Sequence, residues 1–292
     1  MSYKSLYLQD TGKILKLVEK DKPAARVFGV PFDSTSSYRV GSRFAPQAIR
    51  SAFNNIEIYS RLFDVDLEKE FIEDLGDMSV MHDARATSNQ VLKLWKELLE
   101  DKIPVCMIGG EHSISYGSIS ATPKNIGVVI FDAHLDLRED LNGSDFTHAT
   151  FFRRLLDKEN KERFIHIGSR AACEQEWRYV KENDLNVIEA EHFDVSQILK
   201  NPLFEKYSKI YVSIDMDFFD PAYAPGIGNP EPGGLSPRDF FKFIKNLEVN
   251  DIIGFDIVEV CPPYDNGNTS VLAAKLMVEL FSYFCLIKSR AQ

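Results

Sequence analysis

Aspartate and histidine side chains suited to metal binding occur at short, regular spacing in the middle of this sequence. In residues 128–136 an apolar run leads directly into Asp132, His134 and Asp136, which are spaced by two. Because alternate side chains of an extended backbone point to the same side, this spacing predicts that all three converge. Carboxylate and imidazole groups are common ligands of divalent metal ions. The segment therefore predicts part of a metal site.

Two further segments repeat the pattern of a buried strand that ends in polar residues. The run 211–214 ends in Asp215 and Asp217, which an extended backbone would place on a common face. The run 105–108 ends in paired glycines, which are expected to let the backbone turn sharply so that His112 points into the same crevice. Burying carboxylates side by side costs several kcal/mol per ion unless a cation neutralises them. Clustering at buried strand ends therefore indicates bound metal rather than solvated polar residues.

The donor set indicates which ions this site would hold. Aspartates and histidines without a thiolate suit a hard to borderline ion, and manganese fits best. Six protein ligands, two of them carboxylates able to bridge, exceed what one ion with an open catalytic position would take. The sequence therefore predicts two Mn²⁺ ions per chain, held by His112, Asp132, His134, Asp136, Asp215 and Asp217.

Strands and helices alternate along the chain that carries these residues. Apolar runs typical of fully buried strands span 25–30, 103–108, 126–131, 163–167, 210–214 and 252–258. Helical patterns cover 91–99, 236–247 and 271–287. Because alternating strands and helices imply a parallel sheet covered on both faces, we predict a three-layer α/β/α fold with a central, mainly parallel sheet. We expect one domain over residues 1–292, with the Pro- and Gly-rich segment 219–236 as an ordered loop at a strand end.

The overall composition limits the classes of function. The formal net charge is −10 at pH 7 without a run of Lys or Arg, which argues against nucleic-acid partners and favours small cationic substrates. The first 20 residues lack a signal-peptide core, and no stretch reaches about 18 uninterrupted apolar residues. We therefore expect a cytoplasmic protein without a membrane partner. The four cysteines show no C-x-x-C spacing and are expected to be reduced.

Three separated motifs match a known family. They are residues 109–113, 132–136 and 213–217, the last followed by Asp220-Pro221 and Pro225-Gly226. With these motifs the sequence resembles the ureohydrolases, which include arginase, agmatinase and formimidoylglutamase and have the arginase/deacetylase-like fold. The resemblance covers nearly the whole chain, from residues 29–33 to 259–263, and is closest to agmatinases. A modest departure is Glu111, where many members have Asp.

The resemblance implies how the metal ligands are shared and which residues act on the substrate. One manganese would take His112, Asp132, Asp136 and Asp215, and the other would take Asp132, His134, Asp215 and Asp217, with Asp132, Asp215 and a hydroxide bridging. His148 matches the family's catalytic histidine, which carries the proton that lets the amine leave. Glu259 matches the carboxylate that holds the guanidinium, and Asp136 counts as catalytic through its metal ion. A surface histidine and a salt bridge at the edge of the core are the alternatives for His148 and Glu259.

The loop 137–148 bears on which guanidino compound is hydrolysed. It lacks the Ser-Gly-Asn run with which arginases bind the amino-acid end of their substrate, and Glu139, Asp140 and Asp145 are candidates for binding an ammonium tail. A dication would also offset the negative charge of the ligand carboxylates and Glu259. We therefore expect hydrolysis of agmatine to putrescine and urea, a reaction of polyamine biosynthesis.

Several alternatives stay open from sequence alone. Another guanidino hydrolase, such as an arginase, guanidinobutyrase or formimidoylglutamase, would use the same motifs. A mononuclear zinc deacylase of the same fold would not need Asp136, Asp217 and His112 together, and a non-catalytic homologue would lack a ligand or His148, whereas none is missing. Family members commonly form trimers or hexamers, so a homo-oligomer is expected.

Overall fold

The fold is seen in a computed structural model that describes residues 2–9, 12–14, 18, 20–247 and 251–290. Its strands are β1 (Leu8–Gln9), β2 (Ala25–Val30), β3 (Tyr59–Ser60), β4 (Val65–Asp66), β5 (Ile72–Met78), β6 (Val105–Gly109), β7 (Gly127–Phe131), β8 (Phe164–Ser169), β9 (Val187–Glu189), β10 (Lys209–Asp215) and β11 (Asp251–Val258). Its α-helices are α1 (Tyr3–Tyr7), α2 (Ala45–Phe53), α3 (Ala84–Leu99), α4 (Ser115–Ala121), α5 (Phe151–Leu156), α6 (Glu174–Glu182), α7 (Val195–Ile198), α8 (Pro202–Lys206), α9 (Pro237–Asn246) and α10 (Asn268–Arg290).

Nine strands of the described chain form one sheet, in the order β1-β5-β2-β6-β11-β10-β7-β8-β9. Neighbouring strands run parallel except β1, which pairs antiparallel with β5. The six strands predicted from apolar runs are all present, each within two residues of its predicted bounds. The predicted central, mainly parallel sheet is therefore confirmed.

Apolar side chains pack on both faces of this sheet. Along β7, Val128 and Ile130 belong to one buried cluster, and the intervening Val129 and Phe131 belong to another. Because alternate side chains of a strand point to opposite faces, the two clusters lie on opposite sides of the sheet. Helices α3, α4 and α5 contribute to the first cluster, and α2, α9 and α10 contribute to the second. The three-layer α/β/α arrangement follows from this packing.

Strand β5 is the main element that the apolar pattern missed. It carries acidic residues in its interior, among them Asp74, which accepts hydrogen bonds from the buried Arg50 at 2.8 and 3.0 Å. Paired charges of this kind are tolerated inside a sheet because each satisfies the other. The strand therefore lacks the apolar run by which its neighbours were recognised.

The helices at the C-terminal end of the chain agree with their sequence signals. Helix α9 begins with a capping box, in which the Ser236 N–H donates to Asp239 Oδ2 at 2.9 Å. The segment Asn268–Ser289 of α10 is long and apolar enough to cross a membrane by length and composition, but 67% of that apolar stretch is buried inside the fold. Burial against the sheet thus accounts for its apolar character.

Candidate metal centre and active site

The carboxyl ends of four neighbouring parallel strands, β6, β11, β10 and β7, meet at one edge of the sheet. His112 follows β6, Glu259 follows β11, Asp215 ends β10 and Asp132 follows β7. This edge is where open α/β sheets place their ligands. The topology thus brings together residues that are up to 147 positions apart in sequence.

The first cluster of possible metal ligands is centred on His112. Its Nδ1 lies 2.9 Å from Asp132 Oδ2, 3.2 Å from Asp215 Oδ2 and 3.3 Å from Asp136 Oδ2. Burial alone would lower the pKa of His112, but the three carboxylates raise it well above its ordinary value. The pKa values of Asp132 and Asp215 are also raised, by burial and then by neighbouring carboxylates. Such raised carboxyl pKa values mark a place where negative charge accumulates and a cation would be stabilised.

The second cluster is centred on His134. Its Nδ1 lies 2.7 Å from Asp217 Oδ2 and 3.9 Å from Asp132 Oδ1. Burial opposes protonation of this ring, but Asp217 and then Asp132 and Asp136 raise its pKa to about 11. Asp132 therefore belongs to both clusters.

The donor atoms of both clusters fit divalent metal ions. In each of the sets His112–Asp132–Asp215 and Asp132–His134–Asp217, one ligand atom per residue lies within 4.8 Å of the others. His112 Nδ1 and Asp132 Oδ2 are buried and lie 2.9 Å apart, but neither makes a hydrogen bond of good geometry within the protein. Buried polar atoms of this kind need a partner, and imidazole with carboxylate suits Mn²⁺ or a similar ion. The structure brings all six predicted ligands to one place, although Asp215 joins only the first set rather than both, and Asp136 joins neither set but lies 3.3 Å from His112 Nδ1.

The backbone reaches this geometry differently from the sequence expectation. Strand β7 ends at Phe131, and Asp136 has a positive φ of 52°, so the three residues of that motif do not lie on one extended strand. Asp217 lies in a 3-10 turn, where its N–H donates to Asp215 Oδ1 at 2.8 Å. A non-glycine residue with positive φ at a site is a strained conformation that the surrounding contacts must maintain.

The glycines before His112 are required by close packing rather than by a turn of positive φ. A Cβ at Gly110 would lie 1.7 Å from the carbonyl oxygen of Phe32, and one at Gly109 would lie 2.2 Å from Ile114 Cδ1. Neither glycine has a positive φ. The paired glycines therefore let the chain after β6 pass directly against its neighbours and place His112 at the sheet edge.

Glu259 lies beside the clusters with one carboxylate oxygen held by a backbone N–H and the other next to Gly228. Its Oε1 accepts a hydrogen bond from the His112 N–H at 2.8 Å, and a Cβ added to Gly228 would lie 3.2 Å from its Oε2. Its φ is 64°, a second strained position of the site. Burial, followed by the charges of Asp215 and Glu111, raises its pKa well above the ordinary value. A cation next to Oε2 would offset this cost.

His148 is held by two hydroxyl groups of the loop that follows β2. Thr35 Oγ1 donates to Glu111 Oε1 at 2.5 Å and accepts a hydrogen bond from the backbone N–H of His148 at 3.0 Å. Thr35 Oγ1 is also 3.2 Å from His148 Nδ1, and Ser37 Oγ is 3.2 Å from Nε2. Because the Thr35 proton points to Glu111, Nδ1 must donate to Thr35, and the neutral ring carries its lone pair on Nε2. This tautomer is assigned from the hydrogen-bond network.

A cavity of about 430 Å³ opens over these residues. Besides Glu259 and the cluster residues other than Asp132, its lining includes Ser37, Arg138, His148, Cys173, Glu176 and Glu231. The predicted tail-binding residues Glu139, Asp140 and Asp145 do not line it. Asp145 accepts two hydrogen bonds from Arg85 at 2.9 Å, and all three residues are exposed. The structure thus places that acidic loop outside the cavity.

Three features of the site were not predicted from the sequence: the positions of Thr35 and Glu231 at the site, and the contact of Glu111 with Thr35. Thr35 stands two residues after the motif 29–33 that carried the resemblance, and Glu111 was noted only as a departure from Asp. Glu231 lies in the Pro- and Gly-rich loop whose position after a strand was the only signal. Each acts through a contact with a residue distant in sequence, which local spacing does not reveal.

Comparison with known proteins places this site in a family. A model of the arginase family matches residues 23–282. The chain belongs to the arginase family. It is 36% identical over 284 residues to the N(1)-aminopropylagmatine ureohydrolase of Thermococcus kodakarensis, covering 93% of this chain and 95% of that protein. It is 35% identical over 264 residues to the agmatinase of Bacillus cereus, covering 87% and 89%.

Solved structures of the family agree with the fold. The crystal structure of the agmatine ureohydrolase of Thermoplasma volcanium matches with a TM-score of 0.89 at 36% identity, covering 97% of this chain and 98% of that chain. The predicted ureohydrolase family and its arginase fold are therefore confirmed. As a family member the protein is a guanidino hydrolase, with two His/Asp clusters that could each hold a metal ion.

Proposed function

We propose that the protein hydrolyses agmatine to putrescine and urea, with two Mn²⁺ ions per chain. The observation that carries this proposal is the position of Glu259, a buried carboxylate that lines the cavity beside both ligand clusters. A planar guanidinium pairs well with a carboxylate through two parallel N–H···O bonds. Such a pair would hold the guanidinium carbon close to the clusters, where hydrolysis takes place.

The ligand clusters define where the ions would lie. His112, Asp132, Asp136 and Asp215 would hold one ion, and Asp132, His134 and Asp217 would hold the other. When bound, such ions lower the pKa of water and stabilise developing negative charge. The carboxylates, in turn, gain the neutralising charge that their burial requires.

Glu259 is arranged to bind rather than to transfer a proton. Its Oε1 accepts a hydrogen bond from the His112 N–H, so its position is fixed, while Oε2 lies next to Gly228. Fixing a binding group before the substrate arrives reduces the entropy lost on binding. The guanidinium would therefore be oriented as well as bound.

His148 is arranged to move a proton. It lines the cavity, and its neutral tautomer presents the Nε2 lone pair beside Ser37. Nε2 can take up the proton that water loses when its oxygen adds to the guanidinium carbon, and the ring can deliver that proton to the departing amine nitrogen as the C–N bond breaks. Thr35 and Glu111 keep Nδ1 protonated, so that Nε2 rather than Nδ1 carries out this transfer.

Two lines of support favour an amine-tailed substrate over arginine. Relatives that cover most of the chain are named agmatinase or N(1)-aminopropylagmatine ureohydrolase. Acidic residues, including Glu176 and Glu231, line the cavity together with the clusters and Glu259. Assembly into trimers or hexamers and a cytoplasmic location stay predictions.

The test is urea release by manganese-loaded protein from agmatine, N(1)-aminopropylagmatine, arginine and guanidinobutyrate. We expect agmatine to give the highest kcat/KM, with putrescine formed in equal amount to urea. Glu259→Gln, which keeps the shape but removes the charge, should lose activity towards every substrate of the panel. A higher kcat/KM for any other member of the panel would contradict the assignment of agmatine.

A further inference from the structure

We propose that Glu231 binds the cationic tail of the substrate and selects against tails that carry no positive charge. This inference rests on the proposed function, because it concerns the end of the substrate that lies away from the guanidinium. In this proposal Glu231, rather than the acidic loop 139–145, recognises the substrate tail.

Glu231 places a carboxylate at the cavity beside the second ligand cluster. Its Oε1 is 3.9 Å from His134 Nε2, and its side chain is 41% exposed while it lines the cavity. It belongs to the loop between β10 and α9, on the same sheet edge as the other site residues. The cavity that contains Glu259 therefore holds a second anionic side chain that a substrate in it could meet.

The backbone around Glu231 is held in place by the strand ends. The Glu231 carbonyl accepts hydrogen bonds from Arg170 Nε at 3.2 Å and Nη2 at 2.8 Å, and Arg170 Nη2 also donates to the Asp217 carbonyl at 2.6 Å. Asp220 accepts hydrogen bonds from the N–H groups of Gly233 at 2.7 Å and Gly234 at 3.0 Å. These contacts fix the position of Glu231 relative to the ligand clusters, which a specificity residue requires.

The other acidic residues that line the cavity already have partners. Glu176 accepts hydrogen bonds from the N–H groups of Leu137 and Cys173, at 3.0 and 2.9 Å, and lies 3.9 Å from Arg138 Nε. The remaining lining acids are Glu259 and members of the two clusters. Among the lining acids of the described chain outside the two clusters, Glu231 differs in that its carboxylate accepts no hydrogen bond from the protein, although His134 Nε2 lies 3.9 Å from its Oε1.

The negative charge of Glu231 determines which substrate tails are favoured. An ammonium group near Glu231 is attracted, a neutral tail has no charge–charge interaction with it, and a carboxylate tail is repelled. The chemical class selected is therefore an alkylguanidine with an amine or polyamine tail. Arg138, the cation that also lines the cavity, is exposed and lies 3.9 Å from Glu176 Oε2.

A different role for Glu231 would be to orient the His134 ring through Nε2. Such a residue would affect metal affinity and the hydrolysis of every substrate equally, whereas a tail-binding residue affects substrates according to the charge of their tails. Glu231→Gln separates the two roles, because glutamine keeps an oxygen that can accept a hydrogen bond from His134 Nε2 but loses the charge.

The experiment compares wild type, Glu231→Gln and Glu139→Gln on agmatine, butylguanidine and guanidinobutyrate, whose tails are cationic, neutral and anionic. For Glu231→Gln we expect KM for agmatine to rise about tenfold. KM for butylguanidine should stay within about twofold, and KM for guanidinobutyrate should fall. Glu139→Gln removes an exposed acid outside the cavity and should leave all three KM values unchanged. Manganese content, measured in each variant, should equal that of wild type.

The other possible outcomes would contradict either tail binding by Glu231 or the proposed function itself. Equal losses on all three substrates, or reduced manganese content in Glu231→Gln, would overturn tail binding in favour of His134 orientation. An agmatine-specific loss in Glu139→Gln instead would return tail recognition to the loop 139–145. If wild type prefers agmatine and Glu231→Gln keeps that preference, the inference fails while the proposed function stands. If wild type hydrolyses butylguanidine or guanidinobutyrate better than agmatine, the proposed function itself fails.

Discussion

Replacing Thr35 by valine tests whether the orientation of His148 matters for the reaction. Valine has nearly the same shape as threonine but no hydroxyl, so Thr35→Val removes the link between Glu111 and His148 without opening a cavity. Thr35 does not itself line the substrate cavity. The change should therefore slow proton transfer without weakening substrate binding.

The magnitude follows from the contacts that are lost. The hydroxyl donates to the fully buried carboxylate of Glu111, and a hydrogen bond to a charged group contributes about 1.5–3 kcal/mol to stability. We expect the free energy of unfolding to fall by roughly 2 kcal/mol. Losing the bond that fixes the His148 tautomer should raise the activation barrier by about 1–2 kcal/mol, which lowers kcat about 5- to 30-fold.

The assay is steady-state urea release, together with denaturant unfolding of each variant. Thr35→Ser keeps the hydroxyl and should recover most of the lost kcat. Thr122→Val is the matched control, because Thr122 is buried and donates to the Ser118 carbonyl at 2.9 Å, remote from the cavity. It should lose stability but keep kcat. The reasoning is refuted if Thr35→Val keeps kcat within twofold of wild type, or if Thr35→Ser is as slow as Thr35→Val.

Three further outcomes can be checked with simple assays. Gly228→Ala would place a Cβ 3.2 Å from Glu259 Oε2, so KM should rise about tenfold for agmatine and butylguanidine alike; unchanged KM values would show that the guanidinium does not lie there. Iodoacetamide at pH 8 should modify the folded chain once, at Cys173, because burial raises the pKa of the other three cysteine thiols, that of Cys261 to about 12. Cys173→Ser should abolish the labelling, and a second labelled site would contradict this prediction. Chelation should lower Tm, because it leaves buried carboxylates such as Asp132 without a counter-charge, and manganese should restore it; an unchanged Tm would count against ions in the clusters.

The positions of the ligands could be predicted because the sequence changes from apolar to polar residues where the strands end. Asp132 and Asp215 stand directly at the ends of apolar runs that form central strands. Parallel order then places these ends at one edge of the sheet, so that spacing and topology together indicate a shared site. The positive φ of Asp136 could not be predicted, since it depends on contacts made by the folded chain.

The substrate end of the site was harder to predict. The acidic residues of the loop 137–148 looked suited to an ammonium tail, but Asp145 pairs with Arg85 and lies outside the cavity. Glu231 was overlooked because its loop is recognised by prolines and glycines, and its relation to His134 arises only on folding. Likewise the contact between Thr35 and His148 joins residues 113 positions apart. Local patterns report which elements form, whereas such contacts depend on how the elements pack.

The most direct test of the account is a manganese titration of metal-free protein, with urea release from agmatine as the readout. Two ions held by clusters that share Asp132 predict that the rate rises until two equivalents per chain have been added and is constant thereafter. A plateau at one equivalent, or no urea from agmatine at any manganese concentration, would contradict it.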